Sequence, residues 1–122
     1  MKTDYIYNMP AGEELDILVA EKVMAFTISK TDLHGRPGNF VTYNNGVTQI
    51  CYSVPHYSTN ISEAWRIVEK MGPYKLESMH NSEKSWHKAT FWRGMVGFPV
   101  NADTVPLAIC RSALLAMTYK LD

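Results

Sequence analysis

The amino-acid sequence predicts an α/β fold with antiparallel strands and three main helices. Two kinds of signal carry that expectation. Three stretches show helical apolar periodicity with a recognisable start or stop, and two pairs of β-rich runs flank turn residues. The middle helix has the clearest boundaries. Thr59 and Asn60 can cap it, and Glu63 sits three residues after Asn60, as in a capping box. Ile61, Ala64, Trp65, Val68 and Met71 fall on one face, and Gly72-Pro73 stops the helix. The other elements are expected to pack around it, with Trp65 as a core anchor.

The first helix opens in Asn8-Met9-Pro10-Ala11-Gly12-Glu13-Glu14, where an early proline and early acids suit the first turn. Its stripe is Leu15, Leu18, Val19, Val23 and Phe26, and it is expected to end near Thr27. Ile28 to Gly38 has no helical period, and His34-Gly35-Arg36-Pro37-Gly38-Asn39 is turn chemistry throughout. Phe40–Tyr43 and Val47–Tyr52 flank Asn44-Asn45-Gly46. Asn-Gly there marks a hairpin, because a type I′ turn needs positive φ at both central residues.

A second hairpin is expected from Tyr74–His80 and Trp86–Arg93. A four-residue turn over Ser82–Ser85 would set His80 opposite His87 and Leu76 opposite Phe91. Tyr74, Leu76, Ser78, Ala89 and Phe91 then share the core face, while Lys75 and Trp92 share the other. Gly94–Pro99 reads as a loop or a short third strand. Asp103-Thr104-Val105-Pro106 starts a last helix that is apolar almost all round, which implies burial on more than one side.

The chain has 122 residues, 46% hydrophobic, with 12 basic against 12 acidic side chains. A chain of this size can bury one adequate core without staples. It shows no repeat, low-complexity tract or linker, so residues 1–122 are read as a single domain. Balanced charge gives no global pull toward nucleic acid or an anionic membrane. There is no basic stripe, and the last helix is too apolar to lie in a DNA groove, so sequence-specific DNA binding is not expected. No apolar run approaches the ~20 residues of a membrane span. Met1-Lys2-Thr3-Asp4-Tyr5 lacks a signal-peptide core, so an intracellular protein with free Cys51 and Cys110 is expected.

Three blocks look familiar together. They are Pro10-Ala11-Gly12-Glu13-Glu14-Leu15-Asp16 running on to Met24, Tyr57-Ser58-Thr59-Asn60-Ile61 with Ala64-Trp65-Arg66-Ile67-Val68-Glu69-Lys70, and Pro106 to Ala116. In order and spacing they resemble the phage ABA sandwich domain. The resemblance implies a layered α/β/α sandwich, a phage or prophage origin, and thus a place in the cytoplasm of a bacterial host. It supplies no catalytic residues. The middle, Thr31 to Gly46, looks longer than the family pattern and is a place where activity could reside.

The chemistry-bearing residues are scattered. His34, His56, His80 and His87 with Cys51 and Cys110 match no zinc spacing; His80 and His87 are the pair that the hairpin could bring together. No Gly-x-Ser-x-Gly elbow or cofactor fingerprint is present, and Cys110 on an apolar helix reads as an inert thiol. Neither a catalytic residue, a metal nor a cofactor is assigned. The Gly-rich turn at 34–39 could offer backbone N–H groups and Arg36 to an anion, or be a plain surface turn.

Aromatic residues near cations suit a nucleotide-like ligand, since rings stack bases and Arg contacts phosphate. The positions nominated for ligand contact are Arg36, Tyr43, His56, Tyr57, Trp92, Arg93 and Arg111. The leading expectation is a non-catalytic binding protein that sequesters a nucleotide-derived host defence signal in a pocket or subunit interface. The alternatives are a module that inhibits a host protein or assists phage assembly, and a small enzyme that cleaves such a signal. Balanced charge and the apolar last helix point to a homo-oligomer.

Overall fold

The computed structural model describes residues 3–119. Two three-stranded antiparallel sheets and four helices form an α/β sandwich. A short helix α1 (Thr3–Tyr7), which the sequence pattern did not announce, comes first. Then α2 (Glu13–Leu18) runs on as a π-helical turn over Val19–Val23. Together they are the expected first helix, with Leu15, Val19, Ala20 and Val23 buried. The helix stops short of Phe26 because Ala25 adopts φ 60°, a left-handed conformation that ends helices more often through glycine.

The first sheet follows, in the order β1 (Thr27–Thr31), β2 (Pro37–Asn44), β3 (Gln49–Ser53). Strand β1 was not expected. Ile28 is its one strongly apolar residue, and the pairing with β2 breaks register between Ser29 and Thr31, so no period is visible. Residues 31–46, the stretch that looks longer than the family pattern, contain the central strand, which extends the expected Phe40–Tyr43 run at both ends. The hairpin at Asn44-Asn45-Gly46 exists, but Asn44 pairs with Gln49, which leaves a four-residue turn. Within it only Gly46 has positive φ, at 92°, so the two-residue turn does not form. Asn45 closes the turn instead, its Oδ1 accepting the N–H groups of Val47 and Thr48 at 2.9 and 2.8 Å.

Helix α3 (Ile61–Met71) has the expected limits: Asn60 Oδ1 accepts the Glu63 N–H at 3.1 Å, and Gly72 follows with φ 88°. Its buried residues are Ala64, Ile67 and Val68. Trp65 is 40% exposed and Ile61 50%, so Trp65 is not a core anchor. It lies edge-on to Tyr74 with ring centres 5.7 Å apart. The reason is geometric. Helix α3 packs on one helix, and that narrow contact buries the stripe through Ile67 rather than the one through Trp65.

The second sheet has the order β4 (Tyr74–His80), β5 (Ser85–Arg93), β6 (Val96–Ala102). Here Leu76 faces Ala89, Ser78 faces His87 and His80 faces Ser85. The expected register is therefore off by two residues. That shift keeps every side chain on its assigned face but separates His80 from His87. The turn is Asn81–Lys84, where Asn81 Oδ1 accepts the N–H groups of Glu83 and Lys84 as Asn45 does in the first hairpin. The segment 94–99, read as loop or strand, lies mostly in β6. Trp92 faces Gly97, and a methyl group there would come within 2.8 Å of the indole nitrogen, so the glycine is needed for this approach.

Helix α4 (Val105–Thr118) starts with Thr104 Oγ1 accepting the Leu107 N–H at 3.3 Å, and Pro106 sits in its first turn. It, and not α3, is the centre of the packing. It touches β5, β6, α3, the π-helical turn, α1 and α2. Ala108, Ile109, Cys110 and Ser112 to Ala116 are all buried. The buried Ser112 hydroxyl is set into the sheet: its Oγ accepts the Phe91 N–H at 2.9 Å and donates to the Phe98 carbonyl at 2.6 Å. The apolar circumference of α4 is thus covered mostly within the chain and no longer argues by itself for a second subunit. Among the described residues no helix is long and apolar enough to cross a membrane.

Candidate functional site

One cleft gathers aromatic rings and a charged pair. It has a volume of about 480 Å³, within the range of small-ligand pockets. Its floor comes from the first sheet and the segments on either side of it. Phe26 enters from the junction before β1, Tyr43 from β2 and Tyr52 from β3. Tyr43 and Tyr52 meet because they are diagonal neighbours: Tyr43 pairs with Ile50 and Tyr52 with Val41. Phe26 and Tyr43 are stacked at 6.3 Å with planes 18° apart, and Tyr52 stands edge-on to Tyr43 at 6.3 Å. Tyr43 is 44% exposed and Tyr52 37%, so both rings are open at the surface.

Tyr57 is buried and forms part of the cleft lining. Burial pushes its phenol well above the usual range, and burial followed by the neighbouring Tyr43 raises Tyr52 as well. Both are neutral O–H groups at ordinary pH. Helix α3 contributes Glu63 and Arg66, one turn apart, with Nε 3.3 Å from the carboxylate. The arrangement offers ring faces for a planar group, a carboxylate for exocyclic N–H donors, and a guanidinium for an anion.

Of the seven nominated residues, this cleft holds Tyr43 and Tyr57. The other five lie elsewhere. His56 lines a neighbouring cleft of about 340 Å³ with Glu13, Asp16 and Asn39. Trp92 and Arg93 share one of about 420 Å³ with Lys70 and Met117. There Arg93 also holds the end of α4, its Nη1 donating to the Tyr119 carbonyl at 2.5 Å. Arg111 lies in a further cleft.

Arg36 sits on the exposed turn, and that turn is no phosphate cradle. Asp32 Oδ1 already accepts the N–H groups of His34 and Arg36 at 2.8 and 2.9 Å, where an anion would have to bind. The Arg36 N–H, as the main cause, holds the Asp32 carboxyl below its usual range. Phe26, Glu63 and Arg66 are not among the nominated residues. Phe26 looks like the end of a helical stripe. The one local hint for the pair is an i, i+3 Glu–Arg spacing just after a tyrosine-rich stretch.

The group Asp16, His56 and Ser58 has the residue types of a hydrolytic triad but not the geometry. Ser58 is fully buried, and its Oγ accepts the Gly12 N–H at 2.9 Å. The buried Asp16 accepts the Ser58 N–H at 2.7 Å, while His56 Nδ1 is 3.9 Å from the other carboxylate oxygen. These bonds pin the start of α2 to the segment that leads into α3. Cys110 is likewise buried, and burial drives its thiol well above the usual range, so it stays protonated.

A family model described as the phage ABA sandwich domain matches residues 17–114. That range takes in all six strands, α3, most of α4 and every residue named in the aromatic cleft. Among solved structures, the crystal structure of a phage protein from Bacillus cereus is similar. It has a TM-score of 0.66 and 24% identity, over 94% of this chain and 96% of that one. At that identity the likeness carries the fold alone. No curated protein matches the chain.

Proposed function

The chain belongs to the phage ABA sandwich domain family, and from that premise we propose that it is a non-catalytic binding protein that captures a small nucleotide-derived signalling molecule in the aromatic cleft. The observation that carries this is the Phe26–Tyr43–Tyr52 ring cluster lining one cleft of about 480 Å³ together with the Glu63–Arg66 pair. Rings take the base, Glu63 its amino group and Arg66 the phosphate. A phage domain meets the nucleotide signals of its bacterial host, which supports cyclic oligonucleotides and ADP-ribose derivatives as the ligands to test.

Native mass spectrometry with a panel of these nucleotides tests the reading. A retained mass that shifts the protein, and is released intact on heating, supports capture; altered ligand supports an enzyme. No shift with any of them overturns nucleotide binding and favours a protein partner. The exposed Ile61, Trp65 and Tyr74 would then be the surface to examine. The same spectrum gives the subunit count. Tyr43→Ala should weaken capture at least tenfold, because it removes the central ring of the cluster (base–aromatic stacking contributes about 1–3 kcal/mol).

A further inference from the structure

A second cleft, of about 440 Å³, opens where the β4–β5 turn meets the first turns of α4. Lys84 comes from that turn, Trp86 from β5, and Asn101 and Asp103 from the end of β6 and the residue after it. Leu107 and Arg111 enter one turn apart on α4. Arg111 is half-buried and held by one bond, Nε to the Met9 carbonyl at 2.9 Å. Its guanidinium makes no other hydrogen bond among the described residues. The Lys84 ammonium stands 5.7 Å from the centre of the Trp86 ring, a cation–π contact that fixes it beside the same cleft.

Two cations therefore face this space against one carboxylate, Asp103. Partial burial works against the Arg111 charge, and Asp103 offsets that only in part. A half-buried cation with unused fork donors gains most from an anion with several acceptor oxygens. Arg111 and Trp86 lie far apart in sequence and become neighbours only when α4 docks on the second sheet.

We propose that this cleft is an anion site for a phosphoryl group, with Arg111 as the forked donor and Lys84 as the second charge. It is separate from the aromatic cleft and does not rest on the reading given to that cleft. The shared chemistry is the phosphoryl group, free or carried by a nucleotide.

The test is a ¹⁵N NMR titration of the full chain with sodium pyrophosphate, and in a second arm with adenosine monophosphate, each against sodium chloride at equal ionic strength. The expected result is a saturable shift of the Trp86 indole N–H and of the Asp103 and Leu107 amides, with Trp65 unmoved. Tighter binding of the monophosphate would identify a nucleotide as the source, and tighter pyrophosphate a free phosphoryl anion; both support the site. Arg111→Lys keeps the charge but loses the fork, and should weaken binding about tenfold. Lys84→Gln, at an exposed turn position, should weaken it several-fold without touching the fold. Arg36→Gln, on the exposed turn outside both clefts, should change nothing. A linear drift without saturation, equal binding by Lys84→Gln, or pyrophosphate shifts that leave Trp86, Asp103 and Leu107 unmoved would overturn the proposal.

Discussion

The sheet β4–β6 and the sheet β1–β3 are both three-stranded antiparallel meanders, and their hairpin turns are even closed by the same asparagine device. They differ in what covers them. Helix α4 lies on β5 and β6, where Ala89, Phe91, Val100 and Ala102 are buried and Ser112 bonds to the backbone. The principal helical neighbour of the other sheet is the π-helical turn against β1, and in that sheet Val41 is the fully buried residue. The side of the strands that carries Val41 also carries Tyr43 and Tyr52, which are open. Two equal pieces of secondary structure thus take different roles. A sheet face sealed by a helix holds the fold together, and one left half-covered keeps its rings at the surface.

Stability measurements can break that contrast. Phe91→Ala should cost about 3–5 kcal/mol, as for a large aromatic removed from a packed core. Tyr43→Ala, at an exposed ring, should cost under about 1 kcal/mol. Urea unfolding of both variants checks this, and equal losses would mean that the first sheet is as structural as the second. A smaller effect sharpens the role of α4. Ser112→Ala leaves the buried Phe91 N–H without its acceptor and should cost about 1–3 kcal/mol by the same method. A neutral result would show that water or a strand shift replaces the hydroxyl.

A further effect is absent near neutral pH and appears only in alkali. Burial raises the Tyr57 phenol in the folded chain above the unfolded value of about 10. Its contribution is complete below that value. It falls as pH rises toward the folded pKa, because the unfolded chain then loses the proton first. Cys110 acts in the same direction from a lower pH, near the usual thiol range. Tyr57→Phe should therefore flatten the fall of stability above about pH 10, by up to about 1.4 kcal/mol per pH unit. An unchanged slope in a pH series of unfolding curves would show that burial does not hold this phenol neutral.

How legible these regions were in the sequence follows from how local their causes are. Helices α3 and α4 are set by caps, stops and apolar runs within a few residues, so both limits of α3 and the start of α4 can be read directly. Strand β1 could not, because Thr27–Thr31 has one strongly apolar side chain and a register break. The π-helical turn at Val19–Val23 has no sequence period of its own, so Phe26 was assigned to a helix it does not join. The aromatic cleft was half legible. The tyrosines stand out as a class, but Arg66 joins them only because the start of α3 comes to line the same cleft as Tyr52 and Ser53. Trp65 departs from its expected burial for a related reason. Periodicity finds an apolar face, while the neighbour that docks decides which edge of it is buried.

The central place of α4 also bears on how the protein is made. It is the last of the described helices to leave the ribosome, and most of the earlier elements depend on it for their cover. Until Val105–Thr118 emerges, Phe91 and its neighbours have no helix to face, and the backbone sites at Phe91 and Phe98 wait for one hydroxyl. A chain in which α4 has not docked exposes the apolar face of the second sheet to chaperones and to other copies.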